Sequence, residues 1–334
     1  MRTGEEVRTS ERKSGGGIVC AGNFIVDRVH TLSYWPEQGN LAHIVHQDVG
    51  VGGGAANVVT DLSSLGFPAR LAAAGCIGAD IDGEIVKTRL QGAGVDVGGL
   101  QALSDRATAH THVMNVPGQN RTFFYHGGAN DAVTDALVTP ATFAGSGYRL
   151  FYLGYLMLLP GLDALDADGR SGASRLLEAA RNAGLTTCVD FVSSEDTEFA
   201  AKVGAALPYC DFIVINEIEA GRATGITVRG VEGELDEAAL LAAGERLLVA
   251  PRKSASGLRR GAHRLSPVLD RSIRQRSSAP WARATHSVPP CSTVCMRIGP
   301  SSVSAPLLMP PPHVVLVERP RRMVFPTWLC FSRM

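Results

Sequence analysis

The sequence predicts an α/β fold whose mainly parallel central sheet is covered by helices on both faces. Three observations point there. From residue 150 onward, short apolar runs alternate with amphipathic segments of about ten residues, the rhythm of strands joined by crossover helices. The polar residues Asp190, Asn216 and Glu219 follow predicted strands directly, where open parallel sheets bind ligands. A glycine run over 50–54 opens into a helical pattern. With 334 residues, 45% of them hydrophobic, the chain can bury a large core.

The elements follow in order. Residues 18–21 form an apolar run ending at Gly22-Asn23, which suits a buried first strand. Residues 32–49 alternate and are mixed in character, as in exposed strands. Ala55, Val58, Val59, Leu62 and Leu65 then share one side of a helix that Gly66-Phe67-Pro68 stops. A strand over 69–74 and a helix containing 85–90 come next. Residues 107–126 alternate again, with Val113, Val116, Phe123 and Tyr125 marking a hairpin that turns at Pro117-Gly118. Strands are predicted at 150–153, 186–189 and 212–215, and helices at 172–183, 198–206 and 236–249. After Pro251 the rhythm is lost, although 314–317 could form a strand. No internal repeat is present.

Charge divides the chain at the same point. Residues 1–250 hold 30 of the 32 acidic and 18 of the 32 basic residues, whereas 251–334 hold 2 acids and 14 bases. That segment also carries 12 of the 18 prolines. It reads as a basic Pro/Ser/Arg-rich tail, poorly ordered or wrongly packed, that leaves an unprotected sheet edge. Residues 1–17 are polar, without the apolar core of a secretory signal, and read as a disordered leader. No apolar run of membrane-spanning length occurs, so a membrane is excluded as partner. The seven cysteines are an odd number scattered among apolar neighbours, which suggests reduced thiols and a cytoplasmic setting. Cys291 and Cys295 lack the further ligands of a zinc site.

The glycine run has two readings. Gly50-x-Gly52-x-x-Ala55 formally matches a dinucleotide fingerprint and so a nicotinamide-binding protein. Against this, His43, His46, Gln47 and Asp48 are too polar for the central strand that fingerprint requires. The alternative is a backbone surface for a polyol. Glycines let a ligand approach the main chain, Asn57 both donates and accepts, and Asp27 can accept from two hydroxyls. Each residue alone is equally a tight turn, a helix cap or a surface acid.

Together they resemble a known family. Gly52-Gly53-Gly54-Ala55-Ala56-Asn57, with Gly66 nine residues after the Asn, is similar to the first signature of the ribokinase-like (PfkB-type) carbohydrate kinases. Gly22-x4-Asp27 resembles their opening strand and sugar-binding Asp. Gly78-x-Asp80-x-x-Gly83 and Gly94-Val95-Asp96 match the block that follows. Gly118 and Arg121 leading to Gly128-Ala129-Asn130 resemble their lid hairpin, and Asn216-Glu217-Ile218-Glu219 their N-x-x-E. The likeness runs from about residue 18 to about 249. Two departures stand out: Val59 replaces a small residue, and Val192-Ser193-Ser194 replaces a polar, often Arg-containing tail after Asp190.

The resemblance implies a three-layer α/β sandwich over 18–250 with a small β lid from about 28–49 and 107–127. It implies that Asp27, Gly52, Gly53 and Asn57 bind substrate hydroxyls and that Arg121 lies on the lid. Asn216 and Glu219 would belong to the phosphate and magnesium network, with Glu219 acting on Mg2+ through water. The bland reading of Glu219 is a solvated acid in a first helical turn. The implied reaction is ATP-dependent phosphorylation of a sugar or sugar-derived hydroxyl, and the implied assembly a homodimer through the lid. A sugar-binding pseudokinase and a nucleoside kinase of the same fold stay open; the latter would place Phe24 or Tyr155 against a base.

One part of the family pattern is missing. Its D-T-x-G-A-G-D motif supplies the catalytic base and the helix N-terminus that holds the phosphates. The only acids in 251–334 are Asp270 and Glu318, and neither stands beside a glycine turn. The composition is that of a reading frame shifted near 249–253 in GC-rich DNA. The competing view, a basic appendage for nucleic acid, is disfavoured because the arginines are thinly spread and aromatics are few. No catalytic residue is therefore assigned, and the chain is expected to be impaired.

Overall fold

The computed structural model describes residues 16–231 and 233–248, together with the backbone of two short segments, 293–298 and 317–318. The expected leader and nearly all of the basic tail lie outside the described residues.

The central sheet is built from β1 (Gly17–Gly22), β4 (Leu71–Gly78), β5 (Asp96–Leu103), β8 (Tyr148–Leu156), β9 (Thr186–Phe191) and β10 (Phe212–Asn216). These six strands are parallel and lie in the order β10-β9-β8-β1-β4-β5. From β1 the chain steps outward one way through β4 and β5; from β8 it steps the other way through β9 and β10. The order therefore reverses between β1 and β8, and such a switch point opens a crevice at the carboxyl ends of the strands.

Side-chain alternation along the strands produces three layers. Ile18 and Cys20 of β1 and Ala73 and Ile77 of β4 face one way, onto α1 (Gly54–Ser64) and α2 (Ile81–Gly92) through Ala55, Ala56, Val59, Val86 and Leu90. Val19 and Ala21, one residue out of step, face the other way with Phe151, Leu153 and Val189. There they meet α4 (Gly172–Asn182), α5 (Phe199–Ala206) and α7 (Glu237–Leu248) through Leu176, Leu177, Val203 and Leu247. A strand buried on both faces reads as a continuous apolar run, which is why β1 and β4 are so legible. The short α3 (Pro160–Asp163) follows β8, and α6 (Glu217–Thr224) follows β10 directly. Val59 is fully buried among Ile18, Cys20 and Val86, so the larger side chain simply fills that layer.

The lid is a second, four-stranded sheet ordered β3-β2-β6-β7, from β2 (Ile25–Leu32), β3 (Ile44–Gly52), β6 (His110–Asn115) and β7 (Thr122–His126). Gln119 N–H closes the turn onto the Val116 carbonyl at 3.0 Å, around Pro117-Gly118 as expected. Because β3, which runs into the glycine run, belongs to the lid and not the central sheet, the dinucleotide reading falls. Beyond β10, where a bare edge is expected, β11 (Thr293–Ile298) and β12 (Val317–Glu318) pair with it antiparallel. That expectation is corrected: backbone from the tail occupies the edge. Among the described residues, no helix is long and apolar enough to cross a membrane.

Candidate functional site

The carboxyl ends of β1 and β8 meet the start of α1 at the switch point. Gly53, the N-cap of α1, has φ of +95°, and a Cβ there would stand 2.6 Å from the Asn23 carbonyl oxygen. Only glycine fits both requirements. Its carbonyl accepts the Asn57 N–H at 2.8 Å, and Asn57 is exposed one turn into the helix. A Cβ on Gly52 would collide with Oδ2 of Asp27. The two glycines thus pack against protein atoms on their Cβ side, and Asp27 lies directly over the turn. Asp27, Gly52 and Gly53 are brought together as the sequence suggests, with Asn57 following on α1.

Asp27 sits on β2, half-buried, and burial raises its carboxyl above the usual range, partly offset by a hydrogen bond from Thr111. The register explains that partner: Asp27 lies opposite Thr111 on β6, and Thr111 opposite Tyr125 on β7, so the three share one face of the lid. Tyr125 Oη accepts from Asn130 Nδ2 at 3.3 Å, and Asn130 Oδ1 accepts the Phe24 N–H at 3.3 Å. Sequence reasoning missed Thr111 and Tyr125 as site residues; the alternation over 107–126 was their only local signal. Arg121 lies in the hairpin just before Thr122, exposed, and Thr122 is paired three rungs beyond Tyr125. That is about 10 Å along the strands, so Arg121 stays apart from Asp27.

The motif around Asp80 has a structural role. Its carboxylate accepts from Gly83 N–H, Thr108 N–H and Thr108 Oγ1 at 2.8, 2.8 and 2.6 Å, capping α2 and tying it to the strand of the lid that follows.

Across the crevice, β10 ends in a reciprocal cap. Asn216 Oδ1 accepts the Glu219 N–H at 2.8 Å, and Glu219 Oε2 accepts the Asn216 N–H at 3.0 Å. Glu219 Oε1 also accepts from Asn216 Nδ2 at 2.7 Å and Ser193 Oγ at 2.8 Å. Glu219 is only 3% exposed, and burial raises its pKa despite these donors. The bland expectation of a solvated acid is therefore corrected: it is enclosed and held by three donors. Asp190, at the end of β9, accepts from Tyr152 Oη at 2.8 Å. Burial first, then the Glu219 charge, push it up to about 8, so it holds a proton at neutral pH.

Tyr155 joins the two halves. Its N–H donates to Asn23 Oδ1, and Asn23 Nδ2 donates to the Leu158 carbonyl at 3.3 Å, fixing the chain as it leaves β8. The Asn57 side chain lies beside the Tyr155 hydroxyl and favours its ionised form, but burial first, then the Asp190 charge, push the phenol up to about 12. Phe24, the other aromatic suggested for a base, is fully buried against Ala55, Ala56 and Val59. That suggestion is corrected, since no ligand can reach its ring.

The arrangement is a glycine turn beneath the Asp27 carboxylate on one side and a held carboxylate on the other, at the switch point of a parallel sheet. In structure it is similar to a ribokinase of Arabidopsis thaliana complexed with ribose and ATP: 19% identity, TM-score 0.53, covering 70% of this chain and 69% of that one. It is likewise similar to a ribokinase of Cryptococcus neoformans in complex with ADP, at 20% identity and TM-score 0.51 over 70% and 67% of the two chains. A ribokinase of Thermotoga maritima matches at 17% identity and TM-score 0.53 over 70% and 68%. These likenesses show the fold. Comparison with curated protein sequences returned no match. The family model for pfkB family carbohydrate kinases matches residues 17–250, over the span where the sequence motifs and the three-layer fold coincide, and the chain belongs to that family.

Proposed function

We propose that this chain carries the substrate half of an ATP-dependent kinase acting on a sugar or sugar-derived hydroxyl, and binds its sugar far better than it phosphorylates it. The observation that carries this reading is the Asp27–Gly52 contact over the turn that presents Asn57, set opposite the Asn216–Glu219 cap. Asp27 and Asn57 would orient the substrate hydroxyls.

The residues fit a magnesium ion. Glu219 receives three hydrogen bonds and a carboxylate has about four lone-pair sites, so one remains for a metal-bound water. Glu219 also lies near Asp190, and no cation is among the groups that shift Asp190. When bound, the metal would neutralise charge on the transferred phosphate. A complete nucleotide site does not fit what is present: no G-A-G-D stands in 251–334. Loss of a general base costs about 10²–10⁴ in rate, and loss of an oxyanion-type donor roughly 10²–10³. The domain bounds of 18–250, a cytoplasmic setting and pairing of two copies through the lid belong to the same proposal. Exposed Val45, Val49, Phe123 and Phe124 on the outer lid strands support the pairing.

The test is ATP-dependent turnover of the purified 334-residue chain over a panel of sugars, beside a version restored to the alternative frame after codon 249. Turnover near ordinary kinase rates by the unaltered chain overturns the claim of impairment. Absence of G-A-G-D from the other frames overturns the frameshift account.

A further inference from the structure

Asn23 is fully buried where the chain passes from β1 to the lid, and its N–H and side chain both bond the segment leaving β8. The N–H donates to the Gly154 carbonyl at 3.0 Å. Further along, Oδ1 accepts the Tyr155 N–H, and Nδ2 donates to the Leu158 carbonyl at 3.3 Å. A neutral amide, with an acceptor and a donor side by side, satisfies both groups. Asn23 also backs the glycine turn, which has no slack on that side. A Cβ on Gly53 would stand 2.6 Å from the Asn23 carbonyl oxygen. One on Gly54 would stand 2.8 Å from the Gly154 carbonyl carbon and 2.9 Å from the Tyr155 nitrogen.

The same segment is gripped from a second residue. Asp163, buried at the end of α3, accepts the Met157 N–H at 3.0 Å and the Leu159 N–H at 2.8 Å. Met157 itself holds φ of +77°, a strained conformation that persists only where the surroundings over-determine it. Residues 155–159 are thus fixed through the Tyr155, Met157 and Leu159 N–H groups and the Leu158 carbonyl. The Tyr155 ring stands on this segment across the first turn of α1, where a Gly54 Cβ would be 3.0 Å from its Cδ1.

We propose that Asn23 is a positioning residue of this site: without touching the ligand, it sets the spacing between the glycine turn of α1 and the wall formed by residues 155–159. The inference rests on the sugar-site reading above and adds a residue to it. Asp27 and Asn57 would reach the ligand from the side of the turn, so the fit of a sugar depends on where the opposite wall stands. Cutting the side chain back to Ala leaves the Tyr155 N–H and the Leu158 carbonyl without the partner that fixes them. The segment then samples other positions, and the site is competent for only part of the time.

Isothermal titration calorimetry of D-ribose, D-fructose and D-xylose on the full chain tests this, beside amide exchange read on peptides covering 155–159. Asn23→Ala should speed exchange there while the β8 peptides stay protected. It should also weaken whichever sugar the parent binds by about tenfold, as when the competent arrangement is held about one tenth of the time. Asn23→Asp is the conservative check. Protonated, its carboxyl donates to Leu158 and accepts from Tyr155 as the amide does; ionised, it has no donor. Its affinity relative to the parent at the same pH should therefore be close to parental at pH 5 and fall by pH 9. A merely structural role lowers the Tm of both variants and leaves the affinity of the folded chain unchanged, and that result overturns the proposal. Unchanged exchange over 155–159 does the same. If Asn23→Ala does not fold, the pH profile of Asn23→Asp decides, and a flat profile overturns the proposal. If the parent binds none of the three sugars, the sugar-site reading falls and the proposal with it. If the parent and both variants bind alike, the proposal alone falls.

Discussion

The hydroxyl of Tyr152 donates a 2.8 Å hydrogen bond to Oδ2 of Asp190, joining the ends of two adjacent strands, β8 and β9, beneath the crevice. The bond does not offset the burial of Asp190, whose pKa lies at about 8. The folded state thus holds a proton that the unfolded chain releases near pH 4. The associated stability is present in full below that pH and is lost as pH rises through about 8. Asp190→Asn cannot ionise. Its Tm relative to the parent should rise from pH 5 to about pH 8 and level off above it, by about 2–4 °C per kcal/mol gained. A pH-independent difference in thermal melts would contradict the assignment.

Gly53→Ala tests the turn that presents Asn57. The substitution places a side chain at φ of +95° and 2.6 Å from the Asn23 carbonyl. Backbone strain of about 1–3 kcal/mol is expected in urea melts. Gly39→Ala, at φ of +88° with nothing within 4 Å, should cost less because strain acts there without a collision.

Asn216→Ala removes a helix cap and a carboxylate donor at once. It should cost about 1 kcal/mol in stability. It also strips from Glu219 the Nδ2 donor at 2.7 Å. Asn216→Asp would keep the cap acceptor but set a second negative charge against Glu219. Comparing the two by thermal melts, with and without magnesium, separates the capping role from the charge role. Magnesium should raise the Tm of the Asp variant more than that of the Ala variant.

A row of imidazoles lies on the lid face opposite Asp27. His30 Nε2 and His112 Nδ1 are 2.9 Å apart, His112 meets His110 edge-on at 5.7 Å, and His110 stacks on His126 at 4.9 Å. Arg28, paired with Asp82 of α2, and the Thr108 carbonyl on His110 complete the surroundings. Burial, then the charges of His30, His110 and Arg28, lower the His112 pKa. The folded lid therefore prefers neutral His112, and the stability this gives is present above about pH 6.5 and falls as pH drops below it. Amide hydrogen exchange, corrected for its intrinsic pH dependence, should show β2, β6 and β7 opening more at pH 5.5 than at pH 7.5. His112→Gln should flatten that dependence.

Several elements could be read from the chain because their signal is local. The buried runs of β1 and β8, the glycine turn before α1, and the Asn216–Glu219 spacing each depend on neighbours a few residues away. β5 escaped detection for the converse reason. It is an edge strand with Gly98 and Gly99 inside it and little of its surface buried, so no strong period marks it.

What the sequence determined by itself is the α/β class, the family motifs and the place where family-like composition ends. Tertiary structure alone decided which side chains share the crevice. Asp27 meets Thr111 because strand register aligns β2 with β6, and Tyr155 meets Asn57 because the sheet order reverses between β1 and β8. Tyr152 and Asp190 meet because β8 and β9 run side by side. Such contacts join residues tens of positions apart, and their pairing follows from hydrogen-bonded register and layer packing, neither of which leaves a periodic trace in the chain.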